Sequence, residues 1–428
     1  MGDVIIDGLT GANRLVILDA NGKIPALDGS LVTALAGANF STGTIPIARL
    51  DTGTTAGKIV KLDGNAKLPA VSGVALTGVV GATKSASDPV ITTNPSGGVG
   101  TEWQNTTSGE VYVCTDATAG ANVWKNVGDQ SGDVVPYIYQ GTQYGYEHGG
   151  EHPANSNKNS ITKYSFTADG NSVDVADLTA TGAYDAGMHS GTHGYRQGAE
   201  GVNVIDKYTF ATDANATNVG DMPVLTGSCG GLTSRLNGYV CGGYVTSPSA
   251  DTINSIRRVS FSTDGNAVDI ADMATTRIQP TMSTDTVNGY IMGGGHGSTH
   301  KTQVDKFVYA TEANATDIGD MTTGGFRTGG SSSLTHGYGT GGNHGAGHVN
   351  IIDKFNFSGS FTATDVGNLA ISKMGMSGTS STSHGYVAGG NPPAGINVIE
   401  KYSFSADGNS SDVGDLILPK DYGAGTSY

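Results

Sequence analysis

HGYVAGGNPPAGINVIEKYSFSADGNSSDVGDL, residues 384–416, reads as three short strands separated by turns. GYVAGG is one strand. INVIEKYSF alternates apolar and polar residues with period two, the mark of a half-buried strand. SDVGDL follows the Asp407-Gly408-Asn409 turn as another. The same pattern recurs upstream. The Gly-Tyr step falls at Tyr146, Tyr195, Tyr239, Tyr290, Tyr338 and Tyr386, at spacings of 49, 44, 51, 48 and 48 residues. A second landmark follows each one: ITKYSF at 161, VIDKYTF at 204, IRRVSF at 256, VDKFVY at 304, IIDKFNF at 351 and VIEKYSF at 398. A third closes each copy, at Asp177, Asp221, Asp272, Asp320, Asn368 and Asp415. A strand before each Gly-Tyr, ending in a turn such as Leu236-Asn237-Gly238, brings the unit to four strands. Four strands per repeat of about 48 residues predicts a six-bladed β-propeller over 133–428.

Turn chemistry sharpens the expectation. Asn-Gly favours a type I′ turn, and His-Gly at His193, His336 and His384 stands in the same place. The paired glycines of GYVAGG suit crowded backbones near a propeller axis. After Asp415 the chain reads LILPKDYGAGTSY, matching LTATGAYDAGMHS after Asp177, so Tyr422 aligns with Tyr184 and Gly425 with Gly187. The final segment is therefore a further first strand, expected to pair near Tyr144–Gly150 and leave no open edge.

Composition agrees. Gly makes up 67 of 428 residues, while charged residues are 14% and aromatics 7%. Coiled coil and collagen are excluded, because helix formers are displaced and glycine has no three-residue period. With 37% hydrophobic residues and low charge density, an all-β globular chain remains. Basic residues number 23 against 38 acidic, a net charge of −15, and they are scattered, which argues against a nucleic-acid partner. No apolar run reaches the ~18–20 residues of a membrane helix, so membrane insertion is not expected. The start, MGDVIIDGLTG, lacks the basic and apolar regions of a secretory leader. Three cysteines make no disulfide framework. Cys229 and Cys241 read as buried thiols of one hairpin, with a cross-strand disulfide as the alternative.

The first part has its own repeat. NRLVILDANGKIPALDGSLVTAL (13–35) is echoed by GKIVKLDGNAKLPAVSGVALTGV (57–79), aligning Asp19 with Asp63 and Pro25 with Pro69. These segments resemble the attachment and shaft regions of tail-fibre proteins of tailed bacteriophages. DPVITTNPSGGVGTEWQNTTSGEVYVCTDATAGANVWKNVG (88–128) is similar to a small β-module of phage virion proteins, especially those of marine phages. Its Trp103 and Trp124 are expected to form a mini-core. The six repeats resemble structural proteins of cyanophage-like viruses, and their Gly-Gly step resembles that of kelch-type propellers, without the aromatic residues that usually follow. The resemblance implies three parts: 1–85 as virion attachment and trimerising region, 86–132 as the module, and 133–428 as the propeller. It implies a homotrimer made in the host cytoplasm, bound to tail or other virion proteins through its N-terminal part. The partner on the host is a surface glycan or outer-membrane receptor.

No chemistry-bearing cluster stands apart from the repeats. His148 and His152, His296 and His300, and His344 and His348 are each four apart, but in loops and in only half of the repeats, so no metal site is expected. The Asp-x-Asn turns offer two ligands where calcium takes six to eight, and they read as self-capping turns. Acidic residues recur repeat by repeat instead of forming a glycosidase pair. No cofactor and no enzyme activity are expected. Departures from the repeat mark the candidate receptor contacts: Tyr137, Tyr139, Tyr144, His148, His152, Tyr244, His296, His300, Asn343, His344, His348 and Asn391. Most lie between second and third strands, which places them on one face. A purely structural virion protein and a polysaccharide depolymerase are the competing readings.

Overall fold

The computed structural model describes residues 81–128, 134 and 137–428, apart from 155, 248–249, 327–328, 360 and 393. The shaft-like repeats at 13–79, with the attachment and trimer expectations they carry, lie outside these residues. Every regular element among the described residues is a strand. The described residues fall into two compact units: 81–88, 95–114 and 126–128 in one, and 89–94, 115–125, 134 and 137–428 in the other.

A small sheet orders four strands as Thr83–Ser85, Glu102–Asn105, Val111–Asp116 and Val123–Asn126, and the first of them lies just ahead of the expected 86–132 module. The first pair is parallel, with Thr83 opposite Trp103. Trp124 is fully buried, as expected of a mini-core, whereas Trp103 is half-buried and donates its ring N–H to Ser87 O at 2.9 Å.

The six repeats form six antiparallel sheets on one plan. In the second sheet the strands Ala186–His189, His193–Gln197, Val204–Thr209 and Thr217–Asp221 pair in chain order. The first sheet draws its first strand from the other end of the sequence. Ala424–Ser427 pairs with Tyr144–His148, with Thr426 opposite Tyr146, which meets the expectation for the last segment. A bulge sits at one place in all six sheets, after Ile161, Ile205, Ile256, Val304, Ile352 and Ile399. It adds local twist to the third strand.

What joins sheet to sheet explains the repeat's letters. The Tyr of each Gly-Tyr step is almost fully buried and meets the closing aromatic of the next repeat's third strand. Centroids lie 4.9 Å apart for Tyr146–Phe210, 4.8 Å for Tyr195–Phe261, 5.2 Å for Tyr239–Tyr309, 4.7 Å for Tyr290–Phe357, 5.0 Å for Tyr338–Phe404 and 4.8 Å for Tyr386–Phe166. The last of these joins the sixth sheet to the first. Such pairs contribute roughly 0.5–1.5 kcal/mol each beyond area burial. The glycine before each Tyr is a packing residue: a side chain on Gly194 or Gly385 would strike the ring of Tyr208 or Tyr402 on the neighbouring strand.

Two turn readings are corrected. The first-to-second-strand turns are not type I′, because neither His193 nor Asn237 has positive φ. They close on a side chain instead, with Ser190 Oγ accepting from His193 N–H at 3.0 Å and Ser381 Oγ from His384 N–H at 2.9 Å. The Asp-x-Asn turns do not cap themselves; they clasp the preceding sheet. Asn215 Oδ1 accepts from Asp177 N–H at 3.0 Å, and Asn171 Oδ1 from Asp415 N–H at 3.0 Å. The turn acids pair with third-strand cations of the preceding sheet: Lys163–Asp213 at 2.5 Å, Lys207–Asp264 at 2.9 Å, Arg258–Glu312 at 2.5 Å, Lys354–Asp407 at 2.5 Å and Lys401–Asp169 at 2.6 Å. Where the fifth repeat has Ser358-Gly359, Lys306 lies over the Phe361 ring instead, 5.9 Å from its centroid. These partly exposed pairs are worth little singly, about 0–1 kcal/mol, so they register the sheets more than they stabilise them. The Gly-Gly step does more than admit a neighbouring backbone. Gly389 and Gly390 both have positive φ, 68° and 105°, and turn the chain out of the second strand, and a side chain on Gly389 would also strike the Lys420 carbonyl. First-strand glycines such as Gly187, Gly231 and Gly378 are crowded by backbone as well.

Candidate functional site

Charged groups are buried where one sheet hands over to the next. Third-strand residues Asp206, Asp305, Asp353 and Glu400 occupy one repeat position, and all are at most 3% exposed. Arg277, from the connection entering the fourth sheet, meets Asp305 at 2.5 Å, and Lys373 meets Glu400 at 2.9 Å. Lys420 meets Glu147 at the closing junction. Where that cation position holds Gly182, Arg196 reaches Asp206 at 3.2 Å from the second strand. Where it holds Gly325, the His344 ring fills the space, and Asp353 takes the Thr322 N–H and hydroxyl at 3.0 and 2.6 Å. Burial raises the carboxyls of Asp305 and Glu147 above the usual range against the pull of Arg277 and Lys420. It lowers the ammonium of Lys373 against the pull of Glu400. These pairs fix how the sheets meet, at a desolvation cost that offsets much of their attraction.

The candidate contacts separate into two groups. Tyr139 lies at the turn end of the first strands: its hydroxyl donates to Ser333 O, its carbonyl meets His189 Nε2 at 2.8 Å, and Gln140 donates to Ser332 O at 3.2 Å. Tyr139 is buried, and with His189 it lines the small cavity at this end. Tyr137 is half-buried close by, with its hydroxyl pushed up by burial. Tyr144 opens its strand, with Lys163 Nζ 4.8 Å from its ring centroid. The loop residues belong to the other end, where second strands finish. His296 and Tyr244 are exposed; His152, His300, Asn343, His344, His348 and Asn391 are half-buried. His300 stacks on Phe326 at 4.9 Å, and Asn343 bridges to Phe326 and His348. His148 cannot meet a receptor: it is fully buried, 3.8 Å from Asp185 and edge-on to Tyr208. No group of three potential metal ligands occurs among the described residues. Cys229 and Cys241 are free and buried, and Cys241 pairs across the strands with Gly230, not with Cys229.

The arrangement absent from the sequence-based candidates is a collar around the open end of the first strands. Tyr184, Ser228, Gln279, Gly375 and Tyr422 precede successive first strands, and all are left-handed, with φ of 61°, 58°, 49°, 70° and 53°. The fifth-sheet equivalent, Arg327, lies outside the described residues. That conformation aims the N–H of four of them at the previous member's carbonyl: Tyr422 to Gly375 at 2.7 Å, Tyr184 to Tyr422 at 2.8 Å, Ser228 to Tyr184 at 2.7 Å and Gln279 to Ser228 at 2.6 Å. A left-handed non-glycine residue costs roughly 1–2 kcal/mol. The Tyr184 and Tyr422 rings stack at 4.3 Å, 17° from parallel. Inside the collar lies a cavity of about 170 Å³ walled by first strands. Beside it a groove of about 250 Å³ runs past Glu200, Tyr244 and Thr246 and shares Tyr184, Ser228 and Gln279 with it. The aligned Tyr184 and Tyr422 were the sequence signal for this site.

No protein-family model matches the chain, and no curated protein matches it. Among the solved structures that resemble it is that of YjhT, with 13% identity and a TM-score of 0.50 over 58% of this chain and 88% of that one. At that identity the likeness speaks to the fold alone.

Proposed function

We propose that the six sheets form a six-bladed propeller, and that the chain is a tail-fibre or receptor-binding protein of a tailed phage that attaches the particle to a host-surface glycan. The observation that carries the propeller is the cyclic order of the junctions. Aromatic pairs run from each sheet to the next, turn clasps join all but the fourth and fifth, and Tyr386–Phe166 and Lys401–Asp169 return from the sixth to the first. The likeness to YjhT supports the same fold. The virion reading rests on the resemblance of 13–79 and 88–128 to fibre segments. Binding without turnover is favoured because so many carboxylates are already engaged, either in buried junctions or in turn clasps. Several chains held together would gain avidity from weak single sites.

The test is localisation and blocking. Antibody raised against the full chain is expected to label fibres on intact particles and to reduce adsorption to host cells. Labelling confined to the head, or full labelling with undiminished adsorption, would overturn the reading. Release of reducing sugar from host polysaccharide by the pure chain would overturn the non-enzymatic part.

A further inference from the structure

We propose that the collar cavity and the groove beside Tyr244 are one saccharide site, two sugar residues long. The inference rests on the glycan-binding reading and names its site.

The collar's hydrogen bonds explain why its residues are left-handed, but they do not explain its side chains. Gly375 serves the collar with the conformation glycine tolerates best, while Tyr184 and Tyr422 hold it as bulky aromatics. The Tyr422 ring lies over Gly375 and against Tyr184, so a continuous aromatic lip edges the cavity. Aromatic faces take up the apolar C–H faces of sugar rings, and Ser228 and Gln279 set a hydroxyl and an amide beside them for hydroxyl groups.

The two spaces adjoin through shared residues. Tyr184, Ser228 and Gln279 line both, so a ligand passing from groove to cavity keeps contact with the same three side chains. At about 170 and 250 Å³, each falls below the ~300–1,000 Å³ of a drug-sized pocket. One sugar residue in each is the occupancy that follows. Tyr244, 40% exposed on the groove wall, gives the outer residue its own platform.

Asp185 lines the cavity, but its carboxylate is fully buried and faces Arg196 and His148. Glu200 on the groove is an acceptor suited to sugar hydroxyls.

The experiment uses the full chain with methyl glycosides of glucose, galactose and mannose, and the disaccharides maltose, lactose and mannobiose. Isothermal titration and saturation-transfer NMR read binding. At least one disaccharide is expected to bind about tenfold more tightly than its monoglycoside. Tyr184→Gly is expected to weaken both by tenfold or more with little net change in thermal stability, because relief of the left-handed backbone offsets the lost Tyr422 stack. Tyr244→Ala is expected to reduce the disaccharide to monoglycoside affinity and leave the monoglycoside unchanged. Wild-type affinity in Tyr184→Gly, or no sugar bound at millimolar concentration, overturns the proposal. Adsorption of the same proteins to host cells is measured in parallel. Equal adsorption of wild type and Tyr184→Gly, together with wild-type sugar affinity in the variant, removes this site and leaves the receptor reading standing. Sugar binding without adsorption keeps the site and removes the receptor reading.

Discussion

Replacing Lys373 by methionine isolates the energetics of a sheet junction. Lys373 Nζ lies 2.9 Å from Glu400 Oε1, and both side chains are fully buried. Methionine keeps most of the stem's packing and removes the charge. Glu400 Oε2 still accepts from Ala370 N–H at 2.7 Å and from the Ser410 hydroxyl, but its charge is then uncompensated. Breaking one partner of a buried pair costs about 3–5 kcal/mol. The lower end is expected, because Asp353 persists in the equivalent place with, among the described residues, Thr322 as its hydrogen-bond donor. With a urea slope of about 3 kcal/mol/M, a 3 kcal/mol loss moves the midpoint down by roughly 1 M. Urea unfolding followed by tyrosine fluorescence measures it. The double variant Lys373→Met, Glu400→Met is expected to recover most of the loss, since an apolar pair of similar volume replaces an ion pair at little net cost. A single variant costing less than 1 kcal/mol, or a double variant as unstable as the single, would show that the pair carries no such burden.

Other outcomes follow from named contacts. Burial depresses His189 to about 4, against a hydrogen bond to Tyr139 O that favours its charged form. A histidine depressed in the fold contributes stability above its unfolded value near 6.5, and that stability is lost as pH falls from about 6.5 to 4, up to about 3 kcal/mol in all. His189→Asn should flatten the acid limb of a melting-temperature profile, and an unchanged limb counts against the assignment. Phe404→Ala removes the ring stacked on Tyr338 and should cost about 3–5 kcal/mol by calorimetry; a loss below 1 kcal/mol would mean that the stack is ornamental. Asn171→Ala deletes a single exposed clasp to Asp415 and should cost about 1 kcal/mol or less, and a loss above 2 kcal/mol would make the closing clasp exceptional.

Periodicity made the strands legible. A letter repeated six times at one offset carries its own alignment, so strand order and the pairing of the last segment followed from Tyr184 matching Tyr422. Roles that lie between repeats were hidden. Asn171 looks like a turn residue until its partner, Asp415, is known to lie beside it. Gly194 looks like half of a hairpin turn until the Tyr208 ring is found over it. His344 departs from the repeat because Gly325 departs too, and one fills what the other leaves. A departure can therefore be a repair as easily as a contact, which is why irregular loops were an uneven guide. The collar escaped notice because its members differ in type and share only a backbone conformation.

The first strand of the first sheet lies some 280 residues downstream of its neighbour, since Ala424–Ser427 pairs with Tyr144–His148. During synthesis the first repeat therefore leaves the ribosome with one edge bare and waits for some 280 further residues. Contacts so distant in sequence slow folding, and bare edges invite pairing with other nascent chains. High expression should favour aggregates cross-linked through that edge, and slowing translation between the codons for Tyr144 and Ala424 should reduce the yield of soluble protein more than slowing it before them.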